Sequence, residues 1–256
     1  MILILAGTQD ARELAISLQQ LGFSITASVI SKYGEFLYEN LEIKVQSQVL
    51  DAKTMRDFIV AHSFTTVIDA THPYAMNVSK TSLAICETLN IPYIRYERAK
   101  TALPSYDKMS IVTDYDEAVS LAAAIGKRIF LTIGSRNLKY FAKLLGNKEY
   151  FLVARVLPDE TVLHECFSMG FMPNQLILMQ GPFSQTLNRE LYKKYQADVI
   201  ITKDSGAVGG TDTKISAAIE LNIPIIMIAR PKLAYKTVAN TLEEVIYLLE
   251  KNKMNQ

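Results

Sequence analysis

At 256 residues, with 49% hydrophobic and 21% charged side chains, the chain can build one large core or two ordinary ones and is not a disordered polymer. Its 27 Lys and Arg against 26 Asp and Glu give a formal net charge of +1, which argues against generic nucleic-acid binding. No apolar run reaches the ~20 residues of a membrane span, and residues 1–5 lack the length and basic flank of a secretion signal, so a cytoplasmic protein with no membrane partner is expected.

The chain opens with a strand over residues 2–5, a turn at Gly7 and a helix striped by Leu14, Leu18 and Leu21. Asp10 with Glu13 three residues on resembles a capping box. Gly7 permits a tight turn, after which the first N–H groups of the helix form a ready anion site. The full G-x-G-x-x-G dinucleotide fingerprint is absent. A second strand, residues 24–29, runs into Ser31 and Lys32, with no acid before Glu35. Where a Rossmann fold prefers NAD, an acid holds the ribose hydroxyls at this place. Ser31 and Lys32 instead suit a 2′-phosphate, hence NADP, or form a solvated loop with one lysine.

A helix over residues 51–62 precedes a β-branched strand, residues 66–68, whose end carries Asp69, Thr71 and His72. Pro73 then opens a helix over residues 74–89, a place that suits proline because its missing N–H would have no partner there. Polar groups at the carboxyl end of a parallel strand lie where open α/β sheets bind ligands; an ordinary strand-to-helix turn with a capping Thr fits the same letters.

Strands follow at residues 93–96 and 109–112, separated by a linker over residues 99–108, and Asp114 with Glu117 opens the next helix. Residues 127–133 form a strand running into Gly134-Ser135-Arg136-Asn137, which echoes the opening turn and leads a helix over residues 138–145. Further strands are expected at residues 150–156, 176–179, 198–202 and 225–229. Helices lie at residues 160–169, from Ser184 through Leu187, Leu191 and Tyr195, at residues 215–221, and after Thr241 and Glu244. Leu89-Asn90-Ile91-Pro92 and Leu221-Asn222-Ile223-Pro224 match letter for letter, and each leads a strand ending in arginine, at Arg98 and Arg230. The alternation predicts an α/β protein of two Rossmann-like domains, residues 1–108 and 109–256, with parallel sheets facing a central cleft. Cys86 and Cys166 are isolated and read as buried thiols.

Chemistry concentrates in two places. Residues 203–214 hold three glycines among small polar residues with a lysine at each end, which makes either a lid over a ligand or a long surface loop. Arg95, Arg98, Arg136, Arg155, Lys203, Lys214 and Arg230 all fall at or just past strand ends, and residues 118–148 contain six cations and no acid. Singly, each is a solvated charge. Together they point to a ligand with several carboxylates or phosphates, which guanidinium groups bind bidentately. His72 suits a general acid, although a hydrogen-bonding role that merely positions a cofactor is the better fit. His62 and His164 read as structural or exposed, and no catalytic triad, paired carboxylates or metal cluster emerges.

The pieces LILAGTQDARELA, VIDATHPYA, IPYIRYERA, LTIGSRNL, ARVLP and ITKDSGAVGGTDTKISAAIELNIPIIMIARP, spread from Ile2 to Pro231, resemble the precorrin-6A reductase family of cobalamin biosynthesis, including its cobalt-precorrin form. Ala6 stands where that family more often shows a second glycine. The resemblance implies a nicotinamide coenzyme, NADPH or NADH, on the first domain near Gly7, Thr8, Gln9, Ser31, Lys32, Thr71, His72 and Pro73. It implies a tetrapyrrole polycarboxylate on the second, held by Arg98, Arg136, Arg155, Lys203, Ser205, Gly206, Lys214 and Arg230. The implied reaction adds hydride and a proton across a C=C bond of the macrocycle, with Lys203, His72 or a bound water as the proton donor. No metal site is implied, and neighbouring enzymes of the corrin pathway are candidate partners. Two other readings share the basic rim: a synthase like uroporphyrinogen-III synthase, which uses no nicotinamide, and a non-catalytic two-lobed sensor.

Overall fold

The structure, a computed structural model, describes residues 1–48, 50–97, 104–206, 209–231 and 233–254. Short β-branched runs bounded by Gly, Asn or Pro dictate strands that alternate with helices. In chain order these are β1 (Ile2–Leu5), α1 (Gln9–Gln20), β2 (Ile25–Ser28), α2 (Lys32–Phe36), β3 (Lys44–Gln46), α3 (Ala52–Ala61), β4 (Thr66–Asp69), α4 (Met76–Leu89) and β5 (Tyr93–Tyr96). Next come β6 (Met109–Val112), α5 (Tyr115–Ile125), β7 (Arg128–Leu131), α6 (Leu138–Ala142), β8 (Phe151–Val156), α7 (Glu160–Ser168), β9 (Leu176–Leu178), α8 (Gln185–Lys194), β10 (Val199–Lys203), α9 (Thr211–Glu220) and β11 (Ile225–Ile228). The chain closes with β12 (Val238–Ala239) and α10 (Leu242–Met254). No helix among the described residues is long and apolar enough to cross a membrane.

Two compact units result, Met1–Ala99 with Pro231–Gln256, and Lys100–Arg230. This differs from a single break at 108/109, because the C-terminal segment returns to the first unit. There β12 adds in parallel to β5, pairing Val238 with Arg95, and α10 places Val245 and Leu249 in the first unit's core. A two-residue strand carries too little periodicity to announce itself in sequence.

The first unit's sheet runs β3-β2-β1-β4-β5-β12, entirely parallel. That is the 3-2-1-4-5-6 order of dinucleotide-binding sheets, with its topological switch between β1 and β4. Alternation along β1 feeds both faces: Ile2 and Ile4 pack with Leu14 and Leu18 of α1, while Leu3 and Leu5 pack with Met55 and Ile59 of α3. The second unit's sheet runs β9-β8-β7-β10-β11-β6, again parallel. The two orders match place for place, except that the sixth place goes to the C-terminal β12 in one unit and the N-terminal β6 in the other. The letter repeat has a physical basis. Asn90 and Asn222 both take positive φ, 53° and 57°, and Ile91 and Ile223 return N–H groups to Cys86 O and Ala218 O. Pro92 O and Pro224 O then accept from Val67 N and Ile200 N of the neighbouring strands.

Several element boundaries differ from expectation. Thr8, not Asp10, caps α1: its Oγ1 accepts from Ala11 N at 3.0 Å and donates to Ala70 O at 3.1 Å. Leu21 is 56% exposed, and the buried stripe is Ala11, Leu14, Ala15 and Leu18. Ser31-Lys32 opens a short helix rather than a loop, with Ser31 Oγ accepting from Gly34 N at 2.9 Å. Pro73 and Tyr74 lie in a turn closed by Ala75 N donating to His72 O, so α4 begins at Met76. Finally, α9 starts at Thr211, which takes Lys214 out of the predicted loop.

The edge at the end of β4 is fixed by a buried ion pair. Asp69 is 0% and Arg95 1% exposed, and Arg95 Nη1 lies 2.9 Å from Asp69 Oδ1. Asp69 also accepts from Thr71 N (3.0 Å), Thr71 Oγ1 (2.6 Å), Ser79 Oγ (2.5 Å) and Tyr93 Oη (2.6 Å). Arg95 Nη2 donates to Thr71 O at 3.0 Å, while the Arg95 guanidinium sits 5.5 Å from the Tyr235 ring centre. Arg95 therefore belongs to the frame and not to a basic rim. Arg95→Met keeps the length of the side chain but leaves Asp69 buried without its cation, and is expected to destabilise by about 3–5 kcal/mol. Urea denaturation measures it; a loss below about 1 kcal/mol would mean that the neutral donors alone hold Asp69.

Candidate functional site

Each unit presents one edge where strand ends and helix starts converge, at its topological switch. In the first unit, Gly7 takes φ 130°, a conformation that favours glycine, and a Cβ there would meet nothing within 4 Å. Open space above this turn suits a ligand lying against the start of α1, whose first N–H groups have no intrahelical partner. Thr8 ties this turn to Ala70, and the Asp69–Arg95 pair fixes Thr71, so Gly7, Thr8, Thr71, His72 and Pro73 are brought to one edge. Gln9 starts the helix there, its Nε2 donating to Glu13 Oε1 at 2.9 Å. His72 Nδ1 accepts from Tyr74 N at 3.3 Å, which directs any ring proton of the neutral imidazole to Nε2. Ser31 and Lys32 follow the adjacent strand β2 and are exposed.

In the second unit the switch falls between β7 and β10. Gly134, with φ 76°, follows β7, and a Cβ there would approach Lys203 Nζ to 3.8 Å. Burial pushes Lys203 down to about 8, helped by the charge of Arg136. Lys214 is only 8% exposed and donates from Nζ to Gly209 O at 2.8 Å. Its burial, with Arg155 and Lys203 nearby, holds it down to about 7 against a small opposing effect of Asp212. Arg155, 5% exposed, donates from Nη1 to Asn188 Oδ1 at 2.8 Å and stacks 3.8 Å from the Phe183 ring centre. A pocket of about 150 Å³ opens here, with Thr132, Gly134, Arg155, Phe183 and Lys214 in its lining.

The loop after β10 is locally organised. Thr211 Oγ1 accepts from Ser205 N at 3.1 Å, and Ser205 Oγ donates to Gly209 O at 3.4 Å. Arg230 pairs with Asp204, Nε to Oδ2 at 3.2 Å, and donates from Nε to Asp204 O. Gly206 admits that guanidinium: a Cβ on it would come within 3.0 Å of Arg230 Nη2. Ala207 and Val208, like the expected substrate contact Arg98, lie outside the described residues.

The acid-free stretch does not make one anion surface. Lys127 pairs with Glu149 at 3.1 Å and Lys143 with Asp116 at 2.7 Å. Arg128 donates to Tyr195 O at the amino end of β7, opposite the switch. Lys127 and Lys143 are thus satisfied by acids flanking the stretch, which a count within it overlooks. Asn188, Phe183 and Thr132 escaped the sequence reading, and Asn188 left a usable signal. It stands one turn from Ser184, on a helical face that proves buried through Asn188 and Tyr192.

The model of the family "Precorrin-6x reductase CbiJ/CobK" matches residues 1–250. The chain is 43% identical over 250 residues to the cobalt-precorrin-6A reductase of Priestia megaterium, covering 97% of this chain and 98% of that one. It is 34% identical over 247 residues to the cobalt-precorrin-6A reductase of Methanocaldococcus jannaschii, with 96% of each chain covered. A solved structure, CobK precorrin-6A reductase, shares its fold with a TM-score of 0.80 over 98% of this chain and 96% of that one, at 24% identity. Two six-stranded parallel sheets, each with its polar edge at the switch, thus carry the sequence of a known kind of oxidoreductase: the chain belongs to the precorrin-6x reductase (CbiJ/CobK) family of cobalamin biosynthesis.

Proposed function

We propose that this reductase uses NADPH, bound at the β1/β4 edge of the first unit, to reduce a C=C bond of precorrin-6A or cobalt-precorrin-6A, whose carboxylates engage the β7/β10 edge of the second. The observation that carries the assignment is the opposite treatment of charge at the two edges. In the first unit the buried cation Arg95 is consumed by Asp69, leaving a helix start and an open glycine turn. In the second, Arg155 and Lys214 are buried with no carboxylate paired to them among the described residues.

Gly7, Thr8 and Gln9 hold the coenzyme pyrophosphate through the start of α1, Ser31 and Lys32 the 2′-phosphate, and Thr71, His72 and Pro73 the nicotinamide end. When bound, the reduced nicotinamide supplies the hydride. His72 acts in positioning, because the hydrogen bond that Nδ1 accepts from Tyr74 N holds the imidazole ring in one orientation. Lys203 Nζ gives the proton to the neighbouring ring carbon, since burial brings its acidity towards neutrality. Arg136, Arg155, Lys214 and Arg230, with Ser205 and Gly206, hold carboxylates, and Arg98 completes the set in this reading.

Oxidation of NADPH and NADH, followed with precorrin-6A and with its cobalt form, tests the proposal: turnover with neither substrate sinks it. Lys32→Ala should raise the KM for NADPH about tenfold, ~1.4 kcal/mol, and leave that for NADH unchanged; an equal change in both would remove Lys32 from the 2′-phosphate. Lys203→Ala should lower kcat by about 10²–10⁴ with the coenzyme KM nearly intact. In the native enzyme kcat should fall about tenfold per pH unit above about 8, where Lys203 loses its proton. A flat profile from pH 7 to 10 would assign the proton elsewhere.

A further inference from the structure

The pocket beside β8 holds a donor that folding alone does not explain. Of the two terminal nitrogens of Arg155, Nη1 reaches Asn188, whereas Nη2 is buried and makes no hydrogen bond. A buried polar group left in this state is disfavoured, and a ligand that brings an acceptor to it relieves that cost. The Phe183 ring covers the guanidinium and holds its plane fixed. Lys214 lies in the same lining and spends one of its three donors on Gly209 O.

The groups around this pair are mostly cationic or neutral. Lys203 comes from β10, Tyr192 from α8, and Arg136 from the turn after β7; Asp212, in the first turn of α9, is the acid nearest in effect and is itself exposed. The lining also includes the apolar side chains of Val156, Leu157 and Met179. A tetrahedral phosphate would want donors on every side. A short alkyl carboxylate wants donors at one end and methylene contacts along the other, and about 150 Å³ accommodates one such arm but not a whole tetrapyrrole macrocycle.

We propose that this pocket seats a single acetate or propionate arm of the macrocycle, its carboxylate bridging Arg155 Nη2 and Lys214 Nζ and its methylenes lying against Val156, Leu157 and Met179. This rests on the reading that the substrate is a polycarboxylate macrocycle. Seating is linked to a proton. Burial and the neighbouring cations keep Lys214 down to about 7, and an entering carboxylate favours its charged form. Below that pH the lysine is already charged and binding is strongest. Above it each carboxylate must bring a proton, so affinity falls about tenfold per pH unit.

The test uses the intact chain with ¹⁵N-labelled arginine side chains, titrated with propionate, 1-propanol and inorganic phosphate. Propionate should shift one guanidinium resonance saturably, and the shift should vanish in Arg155→Gln. Neither 1-propanol nor phosphate should compete with it at equal concentration. The dissociation constant for propionate should rise about tenfold or more from pH 6.5 to 8.5, and Lys214→Met should abolish that dependence in a chain that retains Arg155. Absence of a propionate shift, tighter binding of phosphate, or a pH-independent constant would each overturn the seat. None of these readouts uses turnover. A chain that binds propionate at Arg155 yet never oxidises NADPH keeps the seat and loses the reductase reading, and the converse result does the opposite.

Discussion

The first unit depends on one desolvated carboxylate. Asp69 ends the central strand β4, where a charge taken from water is unfavourable unless its lone pairs are filled and its cation is near. Both conditions are met: Thr71, Ser79 and Tyr93 donate to it, and Arg95 faces it from the next strand. The same arginine then holds Thr71 O and, through its backbone N–H, Thr237 O of the returning C-terminal segment. One ion pair thereby fixes the turn that carries His72, the first part of α4 and the approach to β12. Such networks gain from mutual polarisation and fail together when one member is lost.

The second unit shows what the same scaffold becomes without that pair. Strand registers align Asp69 with Arg95 across β4 and β5, and Thr202 with Met227 across β10 and β11. Because Val67 and Ile200 both donate to the proline preceding the neighbouring strand, Thr202 and Met227 occupy the places of the ion pair. Thr202 is fully buried and brings no charge. With no acid at this position, Arg155 and Lys214 meet no carboxylate among the described residues, whereas Arg230 is paired with Asp204 just past β10. Lys203 and Lys214 are instead held below ordinary lysine basicity, first by burial and then by neighbouring cations. One fold thus supplies a neutral, hydrogen-bonded edge in the first unit and an electropositive one in the second.

How far the letters reveal this depends on the range of each interaction. Buried strands such as β4 and β10, and caps such as Asp114 and Ser184, are local and stand plainly in the sequence. The resemblance of the spaced motifs to the reductase family likewise needs only the order of letters. Thr8 as a cap was hidden because Asp10 offered an equally good local pattern, and a contact with Ala70 decided between them. Arg95 and Arg155 look alike at strand ends, yet one faces Asp69 and the other Asn188 and Phe183. Only strand pairing and helix docking separate an arginine paired with a buried carboxylate from one that meets only neutral groups. The return of α10 to the first unit is longer in range still, and nothing within residues 231–256 encodes it apart from an apolar stripe.

The two edges also differ in how solvent reaches them, and this bears on the chemistry each can support. Ser31 and Lys32 are exposed, so their attraction for a phosphate is that of a surface pair, modest and screened by salt over about 8 Å at physiological ionic strength. Arg155 and Lys214 are nearly removed from water, where the same Coulombic attraction is several times stronger and little screened. The same burial makes those cations unfavourable when the pocket holds no anion, which an Asn188 contact and an aromatic face only partly offset. A site built this way gives up stability in the empty protein and recovers it when a carboxylate arrives. Such a site is suited to fixing a bound carboxylate in a single orientation.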